Sequence, residues 1–92
     1  MRKDEFISWL KVNTPVSSST AQKYSGAINT ISKGLNKYGL LDGNLYNIQD
    51  SAVIESLSTK YFSIGEFNEK DIRGNRMYSN AAKYFKKFVK ET

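Results

Sequence analysis

Apolar residues recur along the chain at the three- and four-residue spacing of amphipathic helices, and no stretch alternates with the two-residue period of a strand. The first helical pattern runs from Asp4 to about Val12 and places its large apolar residues on one stripe: Phe6, Trp9 and Leu10. Pro15 follows, and we expect it to end the helix because proline disfavours helical backbone in the residue before it.

A second helix is predicted from Ser19 to about Tyr38. The segment Ser19–Gln22 matches a capping box, in which serine and glutamine side chains satisfy backbone donors at the helix start. Gly39 should end the helix, since glycine adopts the left-handed conformation without strain. The apolar stripe of this helix is predicted to face the core: Tyr24, Ala27, Ile28, Ile31, Leu35 and Tyr38.

Residues 40–49 are interpreted as a loop that attaches to the core through Leu45, Tyr46 and Ile48. Asp50 is predicted to cap a third helix that ends near Phe62. Its inward residues should be Val53, Ile54, Leu57 and Tyr61. After it we expect one short helical turn containing Phe67. The stretch 71–75 fits either a tight turn or the irregular start of the last helix.

The last helix is predicted from Asn75 to Lys90, with an aromatic inner face and a polar outer face. The inner residues are Tyr78, Ala81, Ala82, Phe85, Phe88 and Val89, and the outer residues are Arg76, Asn80, Lys83, Lys87 and Lys90. The pattern as a whole predicts an all-α fold: one domain over residues 1–92, built as a compact bundle of four main helices, with or without the extra short turn.

Charge is distributed very unevenly along this chain of net charge +5. Residues 1–72 contain eight basic and eight acidic side chains, whereas residues 73–92 contain six basic side chains and one acidic one. The whole net charge therefore resides in the last segment, which indicates a polyanionic partner.

The composition excludes several kinds of chemistry. The chain has no cysteine and no histidine, so it lacks disulfides, thiolate metal ligands and the commonest general base. We therefore expect no catalytic residues, no metal and no cofactor. Glu69 and Asp71 beside Lys70 are faintly similar to a nuclease carboxylate–lysine set, but they lack its strand scaffold. The apolar runs are too short for a membrane span or signal peptide, so we expect a cytoplasmic protein.

Basic residues along one helix face favour contact with nucleic acid, most simply double-stranded DNA, because they displace counterions from the phosphate backbone. The predicted contact residues are Arg73, Asn75, Arg76, Ser79, Asn80, Lys83, Lys87 and Lys90. Two alternatives stay open: an acidic protein partner, as for a small adaptor or phage-type inhibitor, and a merely solvated helix face.

A second candidate contact lies at the start of the second helix. There, hydroxyl groups and one lysine would suit a phosphate at a helix N-terminus: Ser18, Ser19, Thr20 and Lys23. The alternative is an ordinary capping loop. Most aromatic residues fit the core, but Tyr84 lies at the border between the apolar and basic faces, where it can either reach solvent or touch a ligand.

The segment Arg73–Val89 resembles part of the N-terminal helical regions of bacterial restriction endonucleases of the HNH type. In those regions a Gly-Asn-x-x-Tyr-Ser-x-Ala pattern opens a helix that ends in spaced aromatic residues. This chain has Gly74-Asn75 and Tyr78-Ser79 in that pattern, but Ala82 where the family often has leucine. The resemblance implies a DNA-recognition or accessory domain whose nuclease lies outside these residues.

A looser likeness covers the first two predicted helices. Phe6-x-x-Trp9-Leu10 followed by Ser19-Thr20-x-x-x-Tyr24-x-x-x-Ile28 is similar to the start of the SAM-like core-binding domain of tyrosine recombinases. Such domains grip DNA with basic helices. Both likenesses imply binding to DNA and no catalysis by these residues.

Overall fold

The computed structural model describes residues 2–92, which form an all-α fold as predicted. The five α-helices are α1 (Lys3–Asn13), α2 (Ser18–Lys37), α3 (Ser51–Ser63), α4 (Gly65–Arg73) and α5 (Met77–Glu91), and a 3₁₀ turn (Leu45–Asn47) lies between α2 and α3. The four main helices correspond to α1, α2, α3 and α5. The expected short turn near Phe67 is in fact the nine-residue helix α4.

The core is one cluster of buried side chains contributed by α1, α2, α3, α5 and the 3₁₀ turn. At its centre, the Phe85 ring lies edge-on to Phe6 and to Tyr46, with ring centroids 5.2 Å apart in both pairs. Helix α5 packs against each of the other four helices. This central position explains why its inner face consists of large aromatic residues and alanines.

Helix α2 begins at Ser18, one residue earlier than predicted. Ser17, not Ser19, is the N-cap residue, and its Oγ accepts a hydrogen bond from the Thr20 backbone N–H at 3.1 Å. The predicted capping box at Ser19 is therefore wrong, because the chain is already helical at Ser18. The predicted stop is confirmed, since Gly39 has a φ of +69°, in the left-handed region.

The loop before α3 attaches to the core as expected. Leu45 and Tyr46 are buried, and the Tyr46 hydroxyl donates a hydrogen bond to the Ser25 carbonyl at 2.7 Å. Asp50 caps α3 by accepting from the Ala52 N–H at 2.9 Å, which confirms that prediction. Val53 and Tyr38 were predicted inward but are 41% and 45% exposed. Val53 lies about 100° around α3 from Ile54, and Tyr38 lies beyond the end of α2.

Helix α4 is held by contacts with α3 and with the end of α2, and it has no side-chain cap of its own. The Phe67 ring stacks on Tyr61 of α3, with centroids 4.2 Å apart and planes 7° apart. At its start, Glu66 accepts hydrogen bonds from the Tyr38 hydroxyl at 2.9 Å and from Lys37 at 3.4 Å. The contacts of Glu66 join residues 28 and 29 positions apart in the chain, which explains why the local pattern predicted only a single turn.

None of the helices formed by residues 2–92 combines the length and the apolar character needed to cross a membrane.

Candidate nucleic-acid interface

The outer face of α5 is polar and open to solvent, as the sequence predicted. Asn80, Lys83, Lys87 and Lys90 are all exposed, whereas the inner residues of the same helix pack in the core. We call these four residues the basic surface. They extend from Asn80 to Lys90, which corresponds to roughly 15 Å along the helix axis. Because α5 is the central helix of the bundle, the basic surface stands on a well-packed support.

Within the described part of the chain, the lysines of the basic surface have no acidic partner. Four ion pairs join side chains within residues 2–92, and two of them involve the basic C-terminal segment. Lys86 pairs with Glu55 of α3 at 3.0 Å, and Arg76 lies 3.9 Å from Asp71. In the same range no carboxylate oxygen lies within 4.0 Å of Arg73, Lys83, Lys87 or Lys90. Their positive charge is therefore available to an external anion.

The predicted start of the last helix at Asn75 is wrong by two residues. Asn75 and Arg76 have left-handed backbone conformations, with φ of 56° and 64°, and α5 begins only at Met77. Together with Gly74 they form a tight turn between α4 and α5. Arg76 therefore precedes the helical face on which it was predicted to lie, and Asn75 is exposed in the turn.

Asp71 organises this turn, a role that the sequence did not reveal. Its side chain is buried, at 1% exposure, and its Oδ1 accepts a hydrogen bond from the Ser79 N–H at 2.9 Å. Its backbone carbonyl accepts from the Arg76 N–H at 2.7 Å. A carboxylate from α4 thus satisfies a backbone donor at the start of α5, where an N-cap side chain normally acts. One indication of this role in the sequence was that Arg76, which precedes the helix, is not a residue type that usually caps a helix.

Ser79 belongs to the turn more than to the basic surface. Its N–H is bonded to Asp71, and its hydroxyl donates to the Arg76 carbonyl at 3.1 Å. Of the eight predicted contact residues in the last segment, the structure therefore brings Asn80, Lys83, Lys87 and Lys90 onto one face. The other four are Ser79, which is committed to the turn, and Arg73, Asn75 and Arg76, which lie before the helix.

At the start of α2, Ser18, Ser19 and Lys23 are exposed, and Thr20 is half-buried. The Ser17 side chain accepts from the Thr20 N–H and donates to the Thr20 hydroxyl at 3.0 Å. The Thr20 N–H and hydroxyl are thus already bonded to Ser17 at this helix start. The arrangement agrees with the ordinary capping alternative, and it leaves Lys23 and two serine hydroxyls accessible.

An aromatic pair connects the first turns of α2 with α5. The Tyr24 and Tyr84 rings stack with centroids 5.8 Å apart and planes 26° apart, and both are partly buried. Burial and the neighbouring Tyr84 raise the pKa of the Tyr24 hydroxyl, while the nearby Asn80 side chain of the basic surface opposes that shift. Tyr84 therefore lies at the border between the core and the polar face, as predicted, and it contacts Tyr24.

The part of the chain that the structure describes contains no group of three or more carboxylates able to hold a metal ion. Glu69 and Asp71, which are faintly similar to the acids of a nuclease site, do not form a site together. Asp71 is buried in the turn, whereas Glu69 is exposed. The Lys70 ammonium lies over the Tyr78 ring, 5.2 Å from its centroid.

Comparisons with protein-family models, with curated proteins and with solved structures found no match to this chain.

Proposed function

We propose that this chain is a DNA-binding helical module that docks the basic surface of α5 on the phosphate backbone of a duplex. The observation that carries the proposal is a row of three exposed lysines without carboxylate partners in the described chain, on a helix whose other face is the core. Ordinary solvated helix faces mix both signs of charge. This one carries three lysines along roughly 15 Å and a single acidic residue, Glu91, at its C-terminal end.

The mechanism is mainly electrostatic. Each lysine that neutralises a phosphate releases condensed counterions, so the logarithm of affinity should fall with the logarithm of salt concentration at a slope of about −0.9 per contact. Three lysines on α5 give an expected slope of about −2.7, and Lys23 as a further contact brings it to about −3.6. Asn80 can add limited base readout, because an amide can pair with the edge of adenine in the major groove.

The resemblances to restriction endonuclease and recombinase regions agree with this proposal. On that basis we propose that the module serves a nuclease or recombinase as a recognition or accessory domain, with catalysis carried out elsewhere. It would then act in the cytoplasm, where bacterial DNA resides.

The decisive test is a charge reversal on the basic surface. We expect Lys83→Glu with Lys87→Glu to abolish binding to a short fluorescent duplex in an anisotropy titration between about 50 and 200 mM salt. Both side chains are exposed, so circular dichroism should show an unchanged helical fold. Arg76 is unsuitable for such a reversal, because a glutamate there would face the buried Asp71 carboxylate and disturb the turn.

The matched control is Lys11→Glu with Lys33→Glu, which changes the net charge equally at exposed positions on α1 and α2. This control should retain most of the affinity and the full salt slope. If the α5 variant and the control bind the duplex equally, the proposal is wrong. Retention of the protein on heparin without binding to any duplex would instead favour an acidic protein as the partner.

A further inference from the structure

A groove of about 530 Å³ lies between α3 and α5, beside the basic surface. One stripe of each helix forms a wall: Glu55, Ser58, Thr59, Phe62 and Ser63 on α3, and Ser79, Ala82, Lys83 and Lys86 on α5. The two helices run antiparallel here, because Glu55 faces Lys86 at one end while Phe62 and Ser79 line the other. The walls extend over about 12 Å of helix, or roughly two turns.

The floor of the groove is apolar and contains one unsatisfied hydroxyl. Phe62 is partly buried against the core, and Ala82 is 6% exposed. The Ser58 Oγ is shielded from solvent and has no hydrogen-bond partner among the residues described. A shielded polar group without a partner destabilises the structure until a hydrogen-bonding group satisfies it. A ligand that brought both apolar surface and a hydrogen-bonding backbone would therefore suit this floor.

The charged side chains at the rim of the groove indicate which charge a ligand should carry. At one end the Lys86–Glu55 ion pair, at 3.0 Å, neutralises both of its members. Lys83 borders both the groove and the basic surface, and no carboxylate within residues 2–92 pairs with it. The complementary ligand thus carries an apolar side chain close to a carboxylate.

We infer that the groove between α3 and α5 binds a short acidic segment of a partner protein, with a large apolar side chain over Phe62 and Ala82 and a carboxylate on Lys83. The volume lies within the range of about 300–1,000 Å³ typical of ligand sites. A two-turn amphipathic helix or about four extended residues would match its length. This site overlaps the proposed DNA contact at Lys83 alone, and its other lining residues lie outside the basic surface.

The test uses a library of random 12-residue peptides displayed on phage and selected on the intact protein. Peptides enriched on the wild type should share a Leu, Ile, Phe or Trp within two positions of Asp or Glu. Thr59 is exposed on the α3 wall and lies outside the basic surface. Thr59→Trp should fill the groove and weaken the selected peptides at least about tenfold, a loss of about 1.4 kcal/mol.

Two further variants complete the design. Thr59→Glu should repel the same peptides without adding bulk, and Thr59→Ser should bind them as the wild type does. Thr59→Trp and Thr59→Ser should keep the duplex affinity of the wild type, which separates failure of this inference from failure of the proposed DNA contact. Thr59→Glu is compared with the wild type in peptide binding alone, because its carboxylate would share the groove with Lys83. Circular dichroism verifies the fold of each.

Three results would overturn the inference. The first is that no shared apolar–acidic pattern is enriched. The second is that the enriched peptides bind the folded Thr59→Trp and Thr59→Glu variants as tightly as the wild type. The third is that Thr59→Trp abolishes duplex binding, because the groove would then belong to the nucleic-acid contact.

Discussion

Gly34, in the interior of α2, allows the close approach of two aromatic rings. A Cβ atom added there would lie 2.7 Å from Cε1 of Tyr61 and 2.8 Å from Cζ of Phe67. These two rings are stacked on each other, and Tyr61 is 1% exposed, so neither can move away freely. Alanine at position 34 must therefore displace the contact that holds α4 against α2 and α3.

The expected cost can be isolated with Gly26→Ala as a matched control. Gly26 lies in the same helix, and a Cβ atom there would meet no other atom within 4 Å. Alanine in a helix interior gains about 0.8–1.0 kcal/mol over glycine, so Gly26→Ala should be stabilising by about that amount. The same gain applies at position 34 and cancels in the comparison. What remains is the overpacking cost, about 1–3 kcal/mol.

The measurement is urea unfolding of both variants, followed by circular dichroism. We expect Gly34→Ala to be less stable than Gly26→Ala by about 1–3 kcal/mol, or about 4–8 °C in Tm for each kcal/mol. The slope of the unfolding free energy with urea should be similar in both. Equal stability of the two variants would refute the argument that Gly34 is required by the packing of α4.

Two further predictions concern buried groups. Asp71→Ala should lower the free energy of unfolding by about 1–3 kcal/mol, because the Ser79 N–H loses its acceptor. Arg76→Ala should lower it by less than about 1 kcal/mol, because it removes only an exposed member of an ion pair. Similar losses for the two variants in urea unfolding would contradict this. Burial raises the pKa of Tyr61 to about 12, above the value of about 10 in unfolded chains. The neutral phenol thus stabilises the fold fully below pH 10, and this contribution is lost as the pH rises through about 12. Tyr61→Phe should therefore unfold at a higher pH than the wild type, and an unchanged unfolding midpoint in an alkaline titration followed by circular dichroism would contradict it.

Local patterns in the sequence predicted the features that depend on neighbouring residues. The helix stop at Gly39 and the cap at Asp50 follow from backbone preference and side-chain length, and both are confirmed. The division of α5 into a buried and an exposed face is confirmed as well, because an aromatic stripe at helical spacing has no other stable place than the core. All four residues of the basic surface were predicted, but four others predicted with them belong to the turn or lie before the helix: Arg73, Asn75, Arg76 and Ser79.

The features that the sequence did not predict depend on residues far apart in the chain or on unusual backbone. Helix α4 is stabilised by Tyr61 and Tyr38, which lie on or after other helices. The turn before α5 requires a left-handed conformation at Arg76, a residue with no preference for it. Its stabilisation comes from the buried Asp71, whose role becomes apparent only when α4 and α5 are placed together.

Trp9 is the only tryptophan of the chain, and its ring lies 5.9 Å from that of Phe88, on the inner face of α5. It is therefore a natural fluorophore behind the helix that carries the basic surface. A ligand on the outer face would not quench this indole by direct contact. Its emission instead reports whether α5 shifts within the bundle, so unchanged fluorescence at saturating ligand would indicate rigid-body docking.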